Sequence, residues 1–260
     1  MTPSLPAAFL TVPLAHRALH DVEDGRPENS RAAIRAAIAA GYGIEIDLQL
    51  SKDGCAMVFH DYDLDRLAEG SGLVRDRTRE ELRAIPLKGG DGEGIPDFAE
   101  VLELVGGKVP LLVEIKDQVW SRRPDGTGCG RLEAAAAQCL EGYSGDVAVM
   151  SFNPDAVAEF AKHRSDLALG LVTGAFKPKN WPELTPEERK HLRKIADFDR
   201  VAASFISHGA HNLGNPAVAR LKEAGVPVLC WTIKSLAQEE AARAIADNVT
   251  FEQYLSPLTS

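Results

Sequence analysis

Residues 43–61 read Gly43-Ile44-Glu45-Ile46-Asp47-Leu48-Gln49-Leu50-Ser51-Lys52-Asp53-Gly54-Cys55-Ala56-Met57-Val58-Phe59-His60-Asp61, and the short connection in their middle decides what kind of sheet forms. Parallel neighbours need a crossover of a dozen or more residues, so the run at 56–59 must fold back antiparallel on the strand before it. With the turn centred on Lys52 and Asp53, paired residue numbers sum to about 105, which sets His60 opposite Glu45. Side chains two apart on a strand share a face, so Glu45 and Asp47 point together from an otherwise Ile- and Leu-rich run. Two unpaired carboxylates there repel each other, and a bound divalent cation is the least costly remedy.

Outward from this hairpin, strand-like and helix-like segments alternate to the end of the chain. Strands are expected at 12–17, 44–50, 111–116, 147–152, 167–173, 201–206, 228–233 and 249–253, which makes eight, with the hairpin's second arm outside the count. Helices fit at 29–40, 97–105, 131–142, 154–163, 186–196, 216–224 and 235–246, several announced by Asn-Pro starts or a terminal Gly. The fold class is α/β: a (β/α)8 TIM barrel with a small insertion after the second strand, in one domain over 1–260. The insertion, about 61–95, is glycine-rich with one helix at 78–85 and leaves directly from His60-Asp61, as a lid or substrate-binding element does. A second excursion, 174–182, carries Phe176, Lys177, Lys179 and Trp181 and covers another side of the same mouth.

Composition excludes several classes. Hydrophobic residues at 45% and charged residues at 26% are those of a globular chain. A net charge of −9 disfavours nucleic acid and anionic lipid as partners. Cys55, Cys129, Cys139 and Cys230 are too widely spaced for a zinc or redox motif. The opening residues lack a basic n-region, and no apolar run reaches membrane-spanning length, so a cytoplasmic location is the default expectation.

In a parallel barrel the active site lies at the C-terminal ends of the strands, where the polar candidates collect. His16 and Arg17 end the first strand, Glu45 and Asp47 lie on the second, Glu114 and Lys116 end the third, and Trp231 and Thr232 lie on the seventh. Glu114 is the natural third metal ligand beside Glu45 and Asp47, and an all-carboxylate set favours Mg²⁺ or Ca²⁺ over zinc or copper. His16 and His60 can act as acid and base, while Arg17 and Lys116 can hold an anion, which together describe a phosphoester site. Competing structural readings stand beside these. Arg17 and Lys116 can be ion-pair partners of Glu45 and Glu114, Pro27-Glu28-Asn29 a helix start capped by Asn29, and Trp231 a core residue. His20, His163, His191, His208 and His211 default to surface or loop positions, and Glu187-Glu188-Arg189-Lys190 to a solvated helix face.

His16-Arg17, Pro27-Glu28-Asn29, Glu45-Ile46-Asp47, Ser51-Lys52-Asp53-Gly54, His60-Asp61, Glu114-Ile115-Lys116 and Trp231-Thr232 together resemble the glycerophosphodiester phosphodiesterase family. The resemblance is strongest over 14–118 and continues to about residue 257. It implies a (β/α)8 barrel that uses a divalent cation to cleave glycerophosphodiesters to sn-glycerol 3-phosphate and an alcohol. It also implies Glu45, Asp47 and Glu114 as metal ligands, His16 and His60 as general acid and base, Arg17 and Lys116 on the phosphate, and Glu28 near the glycerol end. Departures are Ala18 where the family has His-Arg-Gly, an acidic tract at 20–26, Lys234 in place of Asn after Trp-Thr-Val, and Thr250-Phe251-Glu252-Gln253 in place of Thr-Asp-x-Pro. These bear on leaving-group specificity more than on chemistry. Two other readings remain open: a phospholipase acting on lysophospholipid or sphingolipid diesters, and a catalytically silent barrel that binds glycerophosphate-like ligands.

Overall fold

Every residue of the strand Gly43–Leu50 is buried, yet its side chains serve two layers in alternation. Ile44, Ile46, Leu48 and Leu50 pack outward into the main apolar cluster beneath the helices. Gly43, Glu45, Asp47 and Gln49 therefore face the other way, into the barrel. At Gly43 that interior is too crowded for a side chain, since a Cβ there would lie 2.5 Å from Leu14 Cδ2.

This computed structural model describes residues 2–118 and 129–258. Its strands are β1 Leu14–Ala15, β2 Gly43–Leu50, β3 Ala56–Val58, β4 Leu111–Ile115, β5 Val147–Ser151, β6 Ala168–Thr173, β7 Phe205–Gly209, β8 Val228–Ile233 and β9 Asn248–Phe251. All except β3 pair in parallel, and β1 bonds both β2 and β9, which closes an eight-stranded barrel. The helices are α1 Ala8–Thr11, α2 Arg31–Ala40, α3 Arg79–Ala84, α4 Phe98–Val105, α5 Arg131–Cys139, α6 Pro154–Ala161, α7 Pro186–Arg193, α8 Pro216–Glu223 and α9 Leu236–Arg243. Among the described residues, no helix is long and apolar enough to cross a membrane.

Three expectations need correction. The hairpin pairs Leu48 with Val58, Gln49 with Met57 and Leu50 with Ala56, one residue out of the expected register, so His60 does not face Glu45 across the ladder. The cause is Gly54: its φ of +87° puts it inside a three-residue loop closed by Ser51 and Cys55, where a two-residue turn had been expected. The strand expected at 201–206 runs instead over Phe205–Gly209. Residues before it are held in turns, with Ala203 N donating to Phe198 O at 3.0 Å and Ala202 at φ +49°. That shift moves His208, expected on the surface or in a loop, into the barrel wall, where it is fully buried. Its Nε2 donates to Asn212 O at 3.1 Å, leaving Nδ1 to accept from Thr173 Oγ1 at 2.7 Å.

The barrel interior divides by height. Its lower part is an apolar plug of Leu5, Phe9, Leu14, Leu112, Ala148, Ala168, Phe205 and Leu229. Burying each large side chain stabilises by about 1.5–3 kcal/mol. Asn248 Nδ2 ties α1 to this floor by donating to Phe9 O at 2.8 Å and Val12 O at 2.6 Å. The insertion has its own small core of Met57, Phe59, Leu64, Val74, Leu82, Leu87 and Ile95. Arg79 and Arg83 bolt it to the start of α4 through Asp97, at 2.7 and 2.6 Å, and α3 begins with a Thr78–Glu81 capping box.

Candidate active site

Strand register assembles the acidic cluster. Asp47 pairs directly with Glu114 between β2 and β4, and Glu45 sits two residues along the same face. Carboxylate oxygens of all three lie within 4.8 Å of one another, and the residues are only 2%, 1% and 6% exposed. Lys116 Nζ enters the cluster at 2.7 Å from Asp47 Oδ1 and 2.6 Å from Glu114 Oε1. Glu45 Oε2 accepts from the Arg17 backbone N–H at 2.9 Å, and Arg17 Nε stands 3.7 Å from Asp47. Of the expected ion pairs, Lys116–Glu114 forms, whereas the Arg17 guanidinium pairs with Glu28 and Asp47.

Burial, then the like charges of Asp47 and Glu114, push the Glu45 carboxyl well above its ordinary value. Burial also raises Glu114 against the pull of Lys116. Asp47 pays the same desolvation penalty, but Lys116, His60 and Arg17 overcome it and hold the group below the usual carboxylate range. Burial opposes the Lys116 charge too, and Asp47 and Glu114 reverse that effect. Lys116 and an Arg17 shared with Glu28 thus leave the triad under-neutralised, and the all-oxygen donor set fits a hard divalent cation. A second group, His16, His20 and Glu252, also gathers within 4.8 Å, but Lys234 Nζ already neutralises its carboxylate at 2.6 Å, so it fits a cation less well.

Each imidazole is gripped at Nδ1. His16 Nδ1 lies 2.6 Å from Glu252 Oε2, and His60 Nδ1 lies 2.6 Å from Asp61 Oδ1. Burial lowers the His16 pKa, which the Glu252 contact only partly offsets. Asp61 continues through Arg66, whose Nε donates to it at 2.7 Å, to Glu28, which accepts from Arg66 Nη1 at 3.0 Å and from Arg17 Nη1 at 2.7 Å. The insertion therefore reaches both His60 and Arg17 through one side chain, Arg66.

His16, Arg17, His60, Lys116 and Trp231 line one cavity of about 100 Å³ together with Glu45 and Glu114. Asp47 lies at its wall through Lys116. Trp231 packs in the wall with Nε1 donating to Ser207 O at 3.0 Å. Glu28 is not among the lining residues and contacts the site through Arg17. Asn29, weighed as a helix cap, has another position: Ser30 caps α2, and Asn29, at φ +59°, donates from Nδ2 to Asp47 Oδ2 at 2.9 Å. Ser207 Oγ and Thr250 Oγ1 are buried in the same wall without hydrogen-bond partners. As site residues, Arg66 and Ser207 carry no motif signal, while Asn29, Thr250 and Glu252 stand in the sequence motifs without an individual role. Strand parity signals Ser207 and Thr250 once β7 and β9 are placed correctly, whereas nothing local signals Arg66 or Glu252.

Paired cations, a buried acidic triad and carboxylate-held imidazoles at the mouth of a parallel barrel make a site for phosphate ester chemistry. Residues 16–250 match the Glycerophosphoryl diester phosphodiesterase family, and the chain belongs to it. A glycerophosphodiester phosphodiesterase of Caldanaerobacter subterraneus subsp. tengcongensis is 34% identical over 80% of each chain. Among solved structures, a phosphodiesterase of Oleispira antarctica in complex with the product sn-glycerol-3-phosphate superposes with a TM-score of 0.75 at 23% identity, covering 95% of this chain and 94% of that one. A glycerophosphodiester phosphodiesterase of Thermotoga maritima gives 0.68 at 22% identity over 93% and 94%. The barrel and insertion expected from sequence are those observed.

Proposed function

We propose that this chain hydrolyses glycerophosphodiesters to sn-glycerol 3-phosphate and an alcohol, and that His16, His60, Arg17, Lys116, Glu45, Asp47 and Glu114 carry the reaction. The supporting observation is the convergence of the acidic cluster, the cations and both imidazoles on one small cavity. A divalent cation, Mg²⁺ or Ca²⁺, held by Glu45, Asp47 and Glu114 would neutralise phosphate charge as it develops.

Arg17 and Lys116 draw in the phosphate, and Glu28 holds Arg17 in place from behind. One imidazole takes the proton from the attacking hydroxyl as its oxygen bonds phosphorus. The other gives a proton to the departing alcohol oxygen as that P–O bond breaks. Glu252 and Asp61 fix the Nδ1 edges, so proton exchange falls to Nε2 on each ring. When the attacker is the glycerol hydroxyl, the first product is a cyclic phosphate that water then opens. Trapping that product separates this route from direct attack by water.

A reducing compartment such as the cytoplasm fits the four free cysteines. The deciding assay is release of glycerol 3-phosphate under EDTA and after Mg²⁺ or Ca²⁺ is restored, with His16→Ala in parallel. Turnover that returns with metal and is lost in the variant is the expected result. Undiminished turnover in His16→Ala would remove the two-histidine mechanism.

A further inference from the structure

Beside the catalytic cavity lies another of about 300 Å³ that shares Phe152, Trp231 and Thr232 with it. About 100 Å³ is well short of a small-molecule site, which usually occupies a few hundred, so the joined pair makes a plausible volume for a whole diester. The opposite side of the mouth is closed by the Arg17–Glu28–Arg66–Asp61 ion network. Space for a variable group therefore opens towards β5–β8.

Aromatic rings build this second cavity. The Phe152 centroid lies 5.0 Å from Trp181 and 5.4 Å from Trp231, and Phe176 lies 5.4 Å from Trp181. Rings alone would suit a quaternary ammonium, held over their faces. The charges argue the other way. Lys177 and Lys234 line the cavity, and among the described lining residues there is no Asp or Glu, in a chain whose net charge is −9. Lys234 is partly neutralised by Glu252 at 2.6 Å, whereas Lys177 is exposed at the rim. Asn180 and Asn212 add neutral amides, and His211 a further ring that can hydrogen-bond.

We propose that this cavity is the leaving-group subsite and takes a polyol without positive charge, an inositol or glycerol head group, in preference to choline or ethanolamine. This rests on the phosphodiesterase reading above. The polyol's C–H groups lie on the aromatic wall while its hydroxyls meet Lys177 and the amides, and a cationic head group meets lysine repulsion instead.

The experiment compares kcat/KM for glycerophosphoinositol, glycerophosphoglycerol, glycerophosphocholine and glycerophosphoethanolamine in the wild type and in Lys177→Glu. Each value is normalised to the methyl diester of glycerol 3-phosphate measured on the same protein. The wild type is expected to prefer the polyol esters by about tenfold or more, equal to about 1.4 kcal/mol. Lys177→Glu, at an exposed position, is expected to cut the inositol-to-choline ratio by at least about tenfold. Choline ester used as well as inositol ester by the wild type, or an unchanged ratio in the variant, overturns the subsite. Failure to turn over even the methyl diester overturns the phosphodiesterase reading instead.

Discussion

The two halves of the barrel are built for different work. From β1 to β4, with the β3 hairpin and the insertion, come Glu45, Asp47, Glu114, His16, His60, Arg17 and Lys116. From β5 to β8 come Met150, Phe152, Val172, Ser207 and Trp231, which are walls and hydroxyls without charge. One half holds the carboxylates, cations and imidazoles of the site, and the other lines the space around them. Glu252, just beyond β9, crosses this division by gripping His16.

Breaking the charged half should have the largest effect. Glu45→Gln is expected to lower kcat at least about 10³-fold on every diester, a deficit that persists at saturating metal. In EDTA the same variant should be more stable than wild type by on the order of 1 kcal/mol, because it removes a buried carboxylate that burial and its neighbours hold uncomfortably. A calorimetric or denaturant melt reads this, and a loss of stability would contradict the electrostatic account.

The wall half should answer to pH through stability. His208 is held at about 4 by burial, against an ordinary 6.5. The neutral ring is the favoured form in the fold, so stability is intact above 6.5 and declines as pH falls towards 4. The integrated loss is about 3 kcal/mol. Urea melts across that window should be visibly flatter in His208→Asn, with catalytic pH dependence largely untouched. An equally steep loss in the variant would place the acid sensitivity elsewhere.

The crossing residue gives a sharper test of the division. Glu252→Gln is expected to reduce kcat about 10²-fold with little change in KM, and Glu252→Asp to recover part of that. A change confined to KM would make Glu252 part of the wall. The smallest effect concerns Ala18, which sits at φ +63° after Arg17 at +53°. Ala18→Gly removes left-handed strain and should raise stability by no more than about 1 kcal/mol. A clear destabilisation would mean that burial of its methyl outweighs the strain.

How much could be read in advance follows the same division. Glu45-Ile46-Asp47, Glu114-Ile115-Lys116 and the hairpin are short-range patterns, and strand parity alone turns them into a shared inward face. The hairpin register failed by one residue because a glycine's place in a loop depends on its φ, which sequence constrains only weakly. β7 failed because Val201 and Ala203 are apolar for the outer layer while lying in turns. The individual roles of Arg66, Asn29 and Glu252 are not legible in the sequence because each acts through a partner that only the closed barrel brings near. Lys234 and Glu252, two separate departures from the family pattern, make a single ion pair at 2.6 Å.

The grip of Glu252 on His16 also orders events in time. The His16 imidazole is made near the beginning of synthesis, while the carboxylate that holds it is made 236 residues later. Asn248, which fastens the barrel floor to the backbone of α1, arrives equally late. A growing chain can hold its acidic triad and both histidines and still lack a barrel in which they work together. Contacts of such long sequence separation are intrinsically slow to form. Activity in this protein is therefore a signal of seam closure, switched on when the final strand docks beside the first.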